Sequence, residues 1–139
     1  MRTETVLGFD FGTKRIGVAI GQSITGTARP LALITEKNKI LIWRNIKKLL
    51  NEWKPNFLVV GLPLNMDGTE QSISIKARKF AKQLQNYFHI HVELQDERLT
   101  SIEAKANIFE HGGYRALQSN IYIDSQAAVI ILQDWFKKY

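Results

Sequence analysis

A short apolar run between two amphipathic segments constrains the fold more than any other feature. Residues Asn56–Val60 (NFLVV) are almost continuously apolar, which predicts a strand that is buried on both faces, as in a parallel sheet. The segments around it, residues 38–53 and 69–88, place apolar side chains at three- and four-residue steps and predict helices. A buried strand between two helices is typical of an α/β fold, in which helices pack on a sheet.

Four further strands complete the predicted sheet. The five predicted strands are Thr5–Phe11, Arg15–Gly21, Arg29–Thr35, Asn56–Val60 and Ile90–Leu94. The Gly12–Lys14 turn predicts a hairpin of the first two strands, and strands separated by helices should be joined by right-handed crossovers. Two more helices are predicted over about residues 100–110 and 124–136. We therefore predict a single domain over residues 1–139, with an α/β fold and a five-stranded mixed sheet (an antiparallel meander plus parallel strands) flanked by helices.

The composition excludes several classes of protein. The chain has no cysteine, which rules out disulfide frameworks, thiolate zinc sites and cysteine nucleophiles. No apolar run reaches the ~18–20 residues of a membrane span, and Met1–Phe11 does not have the pattern of a secretory signal. We expect a cytoplasmic protein without a membrane partner, because a cysteine-free chain fits a reducing compartment.

The positive charge is concentrated at the start of the chain. The 139 residues include 19 Lys and Arg and 13 Asp and Glu, which gives a net charge of +6. Residues 1–55 alone hold ten basic and four acidic residues, so the whole excess lies there. A concentrated positive surface favours a polyanionic partner such as nucleic acid, although a solvated basic surface would give the same count.

Asp10 is an acid within an otherwise apolar strand. Side chains alternate along a strand, so Asp10 shares one face with Gly8 and Gly12. Two flanking glycines leave open space on that face, where a metal or a backbone could approach. The alternative interpretation is an Asp at a strand end that caps the following turn.

Further acidic positions occur at the ends of predicted elements. Asp96 and Glu97 follow the fifth strand, at the edge where α/β sheets bind ligands; either acid could serve there, and a polar loop start is the alternative. Asp124 opens the last predicted helix, where Asp is a favoured N-cap. The apolar stripe of that helix, which includes Ala127 and Ala128, would also direct Asp124 toward the sheet.

Acids that converge over one sheet face indicate metal chemistry. Mg²⁺ and Mn²⁺ prefer oxygen ligands, and two such ions can stabilise the attacking and leaving oxygens of a phosphodiester. An acidic pocket in a net basic protein suits phosphodiester cleavage, because the basic rim holds the strand and the metal ions offset the local negative charge. The three histidines, His89, His91 and His111, lack the spacing of a zinc site.

Four segments together resemble a known family. They are Leu7–Gly21 (LGFDFGTKRIGVAIG), Val59–Glu70 (VVGLPLNMDGTE), Asp96–Ala104 (DERLTSIEA) and Asp124–Leu132 (DSQAAVIIL). In this order they are similar to the YqgF-like family of pre-16S rRNA nucleases, also called Holliday junction resolvases, which has a ribonuclease H-like fold. The resemblance covers nearly the whole chain and implies that fold for it.

The resemblance implies a set of site residues. The acids that match catalytic and metal-binding positions are Asp10, Glu97 and Asp124. This match favours Glu97 over Asp96. The basic residues that match positions beside the acids, and are expected to bind nucleic acid, are Lys14, Arg15 and Arg98. Family members often carry several Lys or Arg before the last helix, whereas Gly112–Ile123 keeps only Arg115; tyrosines in that segment could stack on bases instead.

The sequence therefore predicts a Mg²⁺- or Mn²⁺-dependent nuclease that hydrolyses phosphodiester bonds in structured nucleic acid without a covalent enzyme intermediate. The resemblance implies a role in ribosome biogenesis, in processing the 5′ end of pre-16S rRNA. One alternative is a Holliday junction resolvase on branched DNA, which would need a homodimer to cut two strands symmetrically. A non-catalytic nucleic-acid-binding module and an actin-like nucleotide-binding lobe are the others.

Overall fold

The computed structural model describes residues 4–97 and 120–139, with side chains from residue 126 onward in the second segment. The elements of these parts are β1 (Thr5–Phe11), β2 (Ile16–Gln22), β3 (Thr27–Ile34), α1 (Lys39–Trp53), β4 (Phe57–Leu62), α2 (Ser72–Phe88), β5 (Val92–Asp96) and α3 (Asn120–Lys138). Within the described residues, no helix has the length and apolar character needed to cross a membrane.

The strands form one mixed sheet in the order β3-β2-β1-β4-β5. β1 pairs antiparallel with β2, and β2 antiparallel with β3, which is the predicted meander. β4 pairs parallel with β1 on one side and with β5 on the other. The predicted α/β fold with a five-stranded mixed sheet is confirmed, and β1 lies at its centre.

Helices cover both faces of the sheet and create two cores. The core under α1 and α2 includes Leu7, Phe9, Ile46, Leu58, Phe80 and Leu84. The core under α3 includes Val6, Ala19, Phe57, Val59, Ala128 and Leu132. β4 contributes to both, and each of its six residues is buried. Because full burial of a Val or Leu side chain contributes about 1.5–3 kcal/mol, this strand ties the two layers of helices to one sheet.

Local signals set the ends of α1. The Asn38 side chain accepts a hydrogen bond from the backbone N–H of Ile40 at 2.8 Å, as an N-cap does. Lys54 ends the helix in a left-handed conformation with φ 45°, and its backbone N–H donates to the carbonyl of Leu50. These residues place α1 close to its predicted range.

Most element boundaries differ from the predicted ones by one to four residues, and two of the differences bear on the site. β5 covers Val92–Asp96 rather than Ile90–Leu94, because its pairing with β4 extends to Asp96 opposite Leu62. The last helix begins at Asn120, so the interpretation of Asp124 as its N-cap is wrong. No glycine or proline separates Asn120 from Asp124, so nothing in that stretch prevents the earlier start. The helix predicted over residues 100–110 lies outside the described residues.

Candidate active site

The first acid of the site lies on the central strand. Asp10 is partly buried and pairs with Gly17 across the β1–β2 ladder. It shares a sheet face with Gly8, two residues earlier. A Cβ atom on Gly8 would lie 2.5 Å from Cγ of Leu132, so α3 packs directly on the β1 backbone there. The same face carries Asp10, which lies one step nearer the carboxyl end of β1.

The second acid lies two strands away. The backbone N–H of Glu97 donates to the carbonyl of Leu62 at 3.1 Å, which continues the β4–β5 ladder by one residue. The Glu97 side chain then lies over Gly61: a Cβ atom there would be 2.8 Å from Oε2 of Glu97 and 2.5 Å from Cδ1 of Ile131. The carboxyl group therefore occupies the space that a side chain at position 61 would fill.

Gly61 is a site residue that sequence reasoning missed. The predicted fourth strand ends at Val60, whereas the structure places Gly61 inside β4. A glycine within a strand often marks a close approach of another group. That signal was present in the sequence, at the end of the apolar run.

The two acids are brought together. The pKa of Glu97 is raised from 4.5 to about 9 by burial first, then by the negative charge of Asp10, a side-chain hydrogen bond with Asp10, and the charge of Asp96. A hydrogen bond between two carboxyl groups needs a proton, so the protonated Glu97 donates to Asp10. In the metal-free protein at neutral pH the pair therefore holds one proton and one negative charge.

This donor set fits a hard divalent cation. Carboxylate oxygens are the ligands that Mg²⁺ and Mn²⁺ prefer. Burial, and after it the charges of Asp10 and Asp96, raise the pKa of Glu97, and a cation would offset this negative charge as a proton does. Among residues 4–97 and 126–139, no three His, Asp or Glu side chains form a group that could hold a metal.

The third predicted acid, Asp124, lies in α3, but its side chain is outside the described part of the chain. The direction of α3 across the sheet still shows at which end of the sheet the helix begins. Leu132 packs over Gly8, and Phe136 over Gly21, which pairs with Val6 on β1. α3 therefore runs roughly antiparallel to β1, and its amino-terminal half lies toward the Asp10 end of the sheet.

The predicted basic residues are placed only in part. Lys14 and Arg15 lie in the turn between β1 and β2, just beyond Asp10, and Lys14 is exposed. Arg98 lies outside the described residues, and so does the segment Gly112–Ile123 up to residue 119. The substrate contacts expected for them stay predictions.

Comparison with known proteins gives the family. A family model described as "RuvX: Holliday junction resolvase" matches residues 4–138. The chain belongs to this family. Proteins named "Putative pre-16S rRNA nuclease" from Proteus mirabilis and Pectobacterium carotovorum are each 54% identical to the chain. The alignments cover 99% of the chain in both cases, and 99% and 98% of the two RuvX relatives. The expected family is confirmed, and with it an enzyme of the nuclease class.

Solved structures show the same fold. The fowlpox virus Holliday junction resolvase has a TM-score of 0.62 at 13% identity, with 97% of this chain and 99% of that chain covered. Thermus thermophilus RuvC has a TM-score of 0.55 at 14% identity, with 96% and 95% covered. At this level of identity the likeness concerns the fold alone. It confirms the expected ribonuclease H-like fold.

Proposed function

We propose that the chain is a divalent-metal-dependent nuclease that processes the 5′ end of pre-16S rRNA, with Mg²⁺ or Mn²⁺ as its cofactor. The contact between Asp10 and Glu97 carries the proposal. Burial and the negative charge of Asp10 raise the pKa of Glu97, and a structural role alone does not need such a pair of carboxyl groups. The pocket also lies at the carboxyl edge of parallel strands, where α/β sheets bind ligands.

Each acid has a distinct task in this proposal. Asp10, on the rigid central strand, anchors the cation, and Glu97 binds it from the adjacent edge of β5. Asp124 completes the set from α3. A bound divalent cation supplies Lewis acidity toward the phosphodiester and lowers the pKa of water for the attack. Gly61 keeps the space open in which the Glu97 carboxyl lies.

In this proposal the basic residues bind the nucleic-acid strand. Lys14 follows Asp10 by four residues and is exposed in the β1–β2 turn, so it can contact a phosphate beside the acids. Arg15 is placed in the same turn, and Arg98 follows Glu97 directly. Phosphate contacts of this kind fix the strand without reading its sequence.

The substrate assignment rests on the relatives, which are named as pre-16S rRNA nucleases. A Holliday junction resolvase is the second candidate, because the family description names that activity and the fowlpox virus resolvase was solved with junction DNA. That activity would require a homodimer, with two sites on opposite strands. The expected cytoplasmic location stays a prediction.

A side-by-side cleavage assay tests the two activities. The purified chain is incubated with a labelled RNA that carries the 5′ leader of 16S rRNA and with a labelled four-way DNA junction, each with Mg²⁺, with Mn²⁺ or with EDTA. We expect metal-dependent cleavage of the leader RNA, while RNA that begins at the mature 5′ end stays intact. Paired symmetrical cuts in the junction alone would assign the resolvase activity instead. If the chain binds these nucleic acids but cleaves neither of them with Mg²⁺ or Mn²⁺, it is a non-catalytic nucleic-acid-binding module.

A further inference from the structure

A second concave surface lies on the other face of the sheet. It is a cleft of about 400 Å³ between the β1–β2 turn, the start of α1 and the first half of α2. This volume is within the range of small-molecule sites, which is roughly 300–1,000 Å³. Asp10 and Phe11 are consecutive on β1 and face opposite sides of the sheet, so the cleft begins one residue from the carboxylate pair.

The floor of the cleft is aromatic. The rings of Phe11 and Phe80 have centroids 4.9 Å apart at an interplanar angle of 33°, and those of Trp43 and Phe80 are 5.6 Å apart at 27°. Phe80 is buried, whereas Phe11 and Trp43 are partly exposed. Phe80 is within stacking distance of both other rings, so the partly exposed rings of Phe11 and Trp43 are the ones that can offer a flat ring a stacking surface. Gln83 at the cleft adds an amide donor and acceptor.

The rim of the cleft is strongly positive. Its charged residues are Lys14, Arg15, Glu36, Lys37, Lys39, Lys76 and Lys79. Five of these are lysines, all exposed, and none of the five forms an ion pair within the described chain. They belong to separate elements that the fold brings to one opening. The net charge of this rim favours an anionic ligand.

The position of Lys39 supports the same conclusion. Lys39 is the first residue of α1, and this helix has no acidic residue in its first turn. A helix start is already electropositive, so a cation there reduces helix stability slightly. An anion at this opening would be attracted by the lysines and by the start of α1.

We propose that this cleft binds a single nucleotide, with its base on the aromatic floor and its flanking phosphates on the lysine rim. Stacking accommodates any base and the lysines supply charge, which is how single strands are bound without sequence preference. The nucleotide belongs to an unpaired stretch of the substrate strand, which passes around the β1–β2 turn from the carboxylate pair. The identity of the ligand rests on the proposed nuclease function, but its binding does not require cleavage.

Two matched charge variants test the proposal in the full chain. Lys39→Gln/Lys79→Gln removes one cleft lysine from α1 and one from α2. Lys48→Gln/Lys82→Gln removes one exposed lysine from each of the same helices outside the cleft. Binding of a fluorescent single-stranded RNA is measured in EDTA, which prevents metal-dependent cleavage, over a series of salt concentrations. All four positions are exposed, so both variants should fold, and thermal melts check this.

We expect the cleft variant alone to bind more weakly. Loss of two phosphate contacts should reduce the slope of log affinity against log salt by about 1.4 on a single strand, and the control variant should keep the wild-type slope. Equal slopes in the two variants would overturn the proposal.

A competition series tests the aromatic floor. A nucleoside triphosphate should displace the RNA roughly 5- to 150-fold better than inorganic tripolyphosphate, the range expected for one stacked base. If the two anions compete equally well, the cleft binds only charge, and the assignment of a base site is wrong. If only the free nucleotide, and not the RNA, is sensitive to the cleft variant, the strand assignment is wrong.

The outcome is separable from the nuclease activity. A chain that cleaves the leader RNA but shows no difference between the two lysine variants retains its proposed function and loses this site. A chain that cleaves nothing but shows the difference retains the site and loses the proposed function.

Discussion

The two sides of the sheet at the carboxyl end of β1 carry opposite chemistry. On the α3 side, Asp10 and Glu97 share a partly buried pocket, and neighbouring glycines allow α3 to pack closely. On the other side, Phe11 forms part of an aromatic floor under an exposed lysine rim. One residue along the strand separates the two environments.

The two sides differ in how far their charged groups are removed from water. Burial and like charge raise the pKa of Glu97, so the acidic side binds one proton or a cation. The lysines of the other side stay in water, where repulsion between them is weak and screened by salt. The partly buried pair can bind its ligand strongly and locally, whereas the exposed rim attracts a polyanion over a longer distance. The following predictions test that division.

Asp10→Asn should have the largest effect. Removal of this charge takes away the anchor of the proposed metal set, so metal-dependent cleavage of the leader RNA should be abolished. The metal-free variant should keep its fold, because position 10 is only partly buried and the amide oxygen of Asn can still accept the hydrogen bond from Glu97. Cleavage assays and thermal melts measure the two effects. Asp67→Asn, at an exposed loop position, is the control. If the Asp10 variant cleaves the RNA as fast as wild type, the proposed metal site is wrong.

Asp124→Asn should weaken metal binding without affecting the fold. Substitution of residues that only support metal ligands costs 10–100-fold in affinity, so loss of a ligand should raise the Mg²⁺ needed for half-maximal cleavage by roughly tenfold or more. Because α3 begins at Asn120, loss of an N-cap no longer competes as an explanation. Asp134→Asn on the same helix is the matched control. Equal metal requirements in the two variants would exclude Asp124 from the site.

Gly61→Ala and Gly8→Ala form a pair that separates packing from chemistry. In both, the new Cβ atom would lie 2.5 Å from an apolar side chain of α3, Ile131 or Leu132. Each should lower the free energy of unfolding by about 1–3 kcal/mol, as overpacking does. Only the change at position 61 also displaces Glu97, so only it should alter metal-induced stabilisation. A denaturant titration with and without Mg²⁺ measures both, and the same metal response in both variants would contradict the placement of Glu97.

Stability of the metal-free protein should fall as pH rises. The Glu97 carboxyl has a pKa of about 9 in the folded chain and an ordinary value of 4.5 when unfolded. Between these values the folded state binds a proton that the unfolded state has lost. The free energy of unfolding therefore decreases by up to about 1.4 kcal/mol per pH unit from this group. Denaturant unfolding at several pH values compares wild type with Glu97→Gln, which should lack this slope; identical pH profiles would contradict the shifted pKa.

Local patterns predict the framework of the fold well. The apolar run at β4 and the glycine turn between β1 and β2 are encoded within a few residues, and both were predicted correctly. The end of β5 was less predictable, because its pairing with β4, rather than its own residues, extends it to Asp96. Residues alone left Asp96 and Glu97 as equal candidates for the same reason: a shift by one residue in a strand exchanges the two faces.

The site was predictable only where acids stood out from apolar surroundings. Asp10 is conspicuous within β1, and its meeting with Glu97 follows from the expected sheet edge. The cleft was not predictable, because Lys39 and Lys79 are distant in sequence, and charge counts place Lys79 in a balanced segment. Only the packing of α1 and α2 on the sheet brings such residues to one opening.

The position of α3 in chain order has a consequence for synthesis. α3 covers the face formed by Val6, Ala19, Phe57 and Val59, yet it follows all five strands. During translation, no other element among the described residues covers this apolar face until α3 has left the ribosome. The acid at position 124 arrives with the same helix, so a growing chain would lack a complete metal set. On the proposed set of acids, the nuclease becomes active only after the helix that closes its second core has been made, which delays cleavage of RNA near the ribosome that synthesises it.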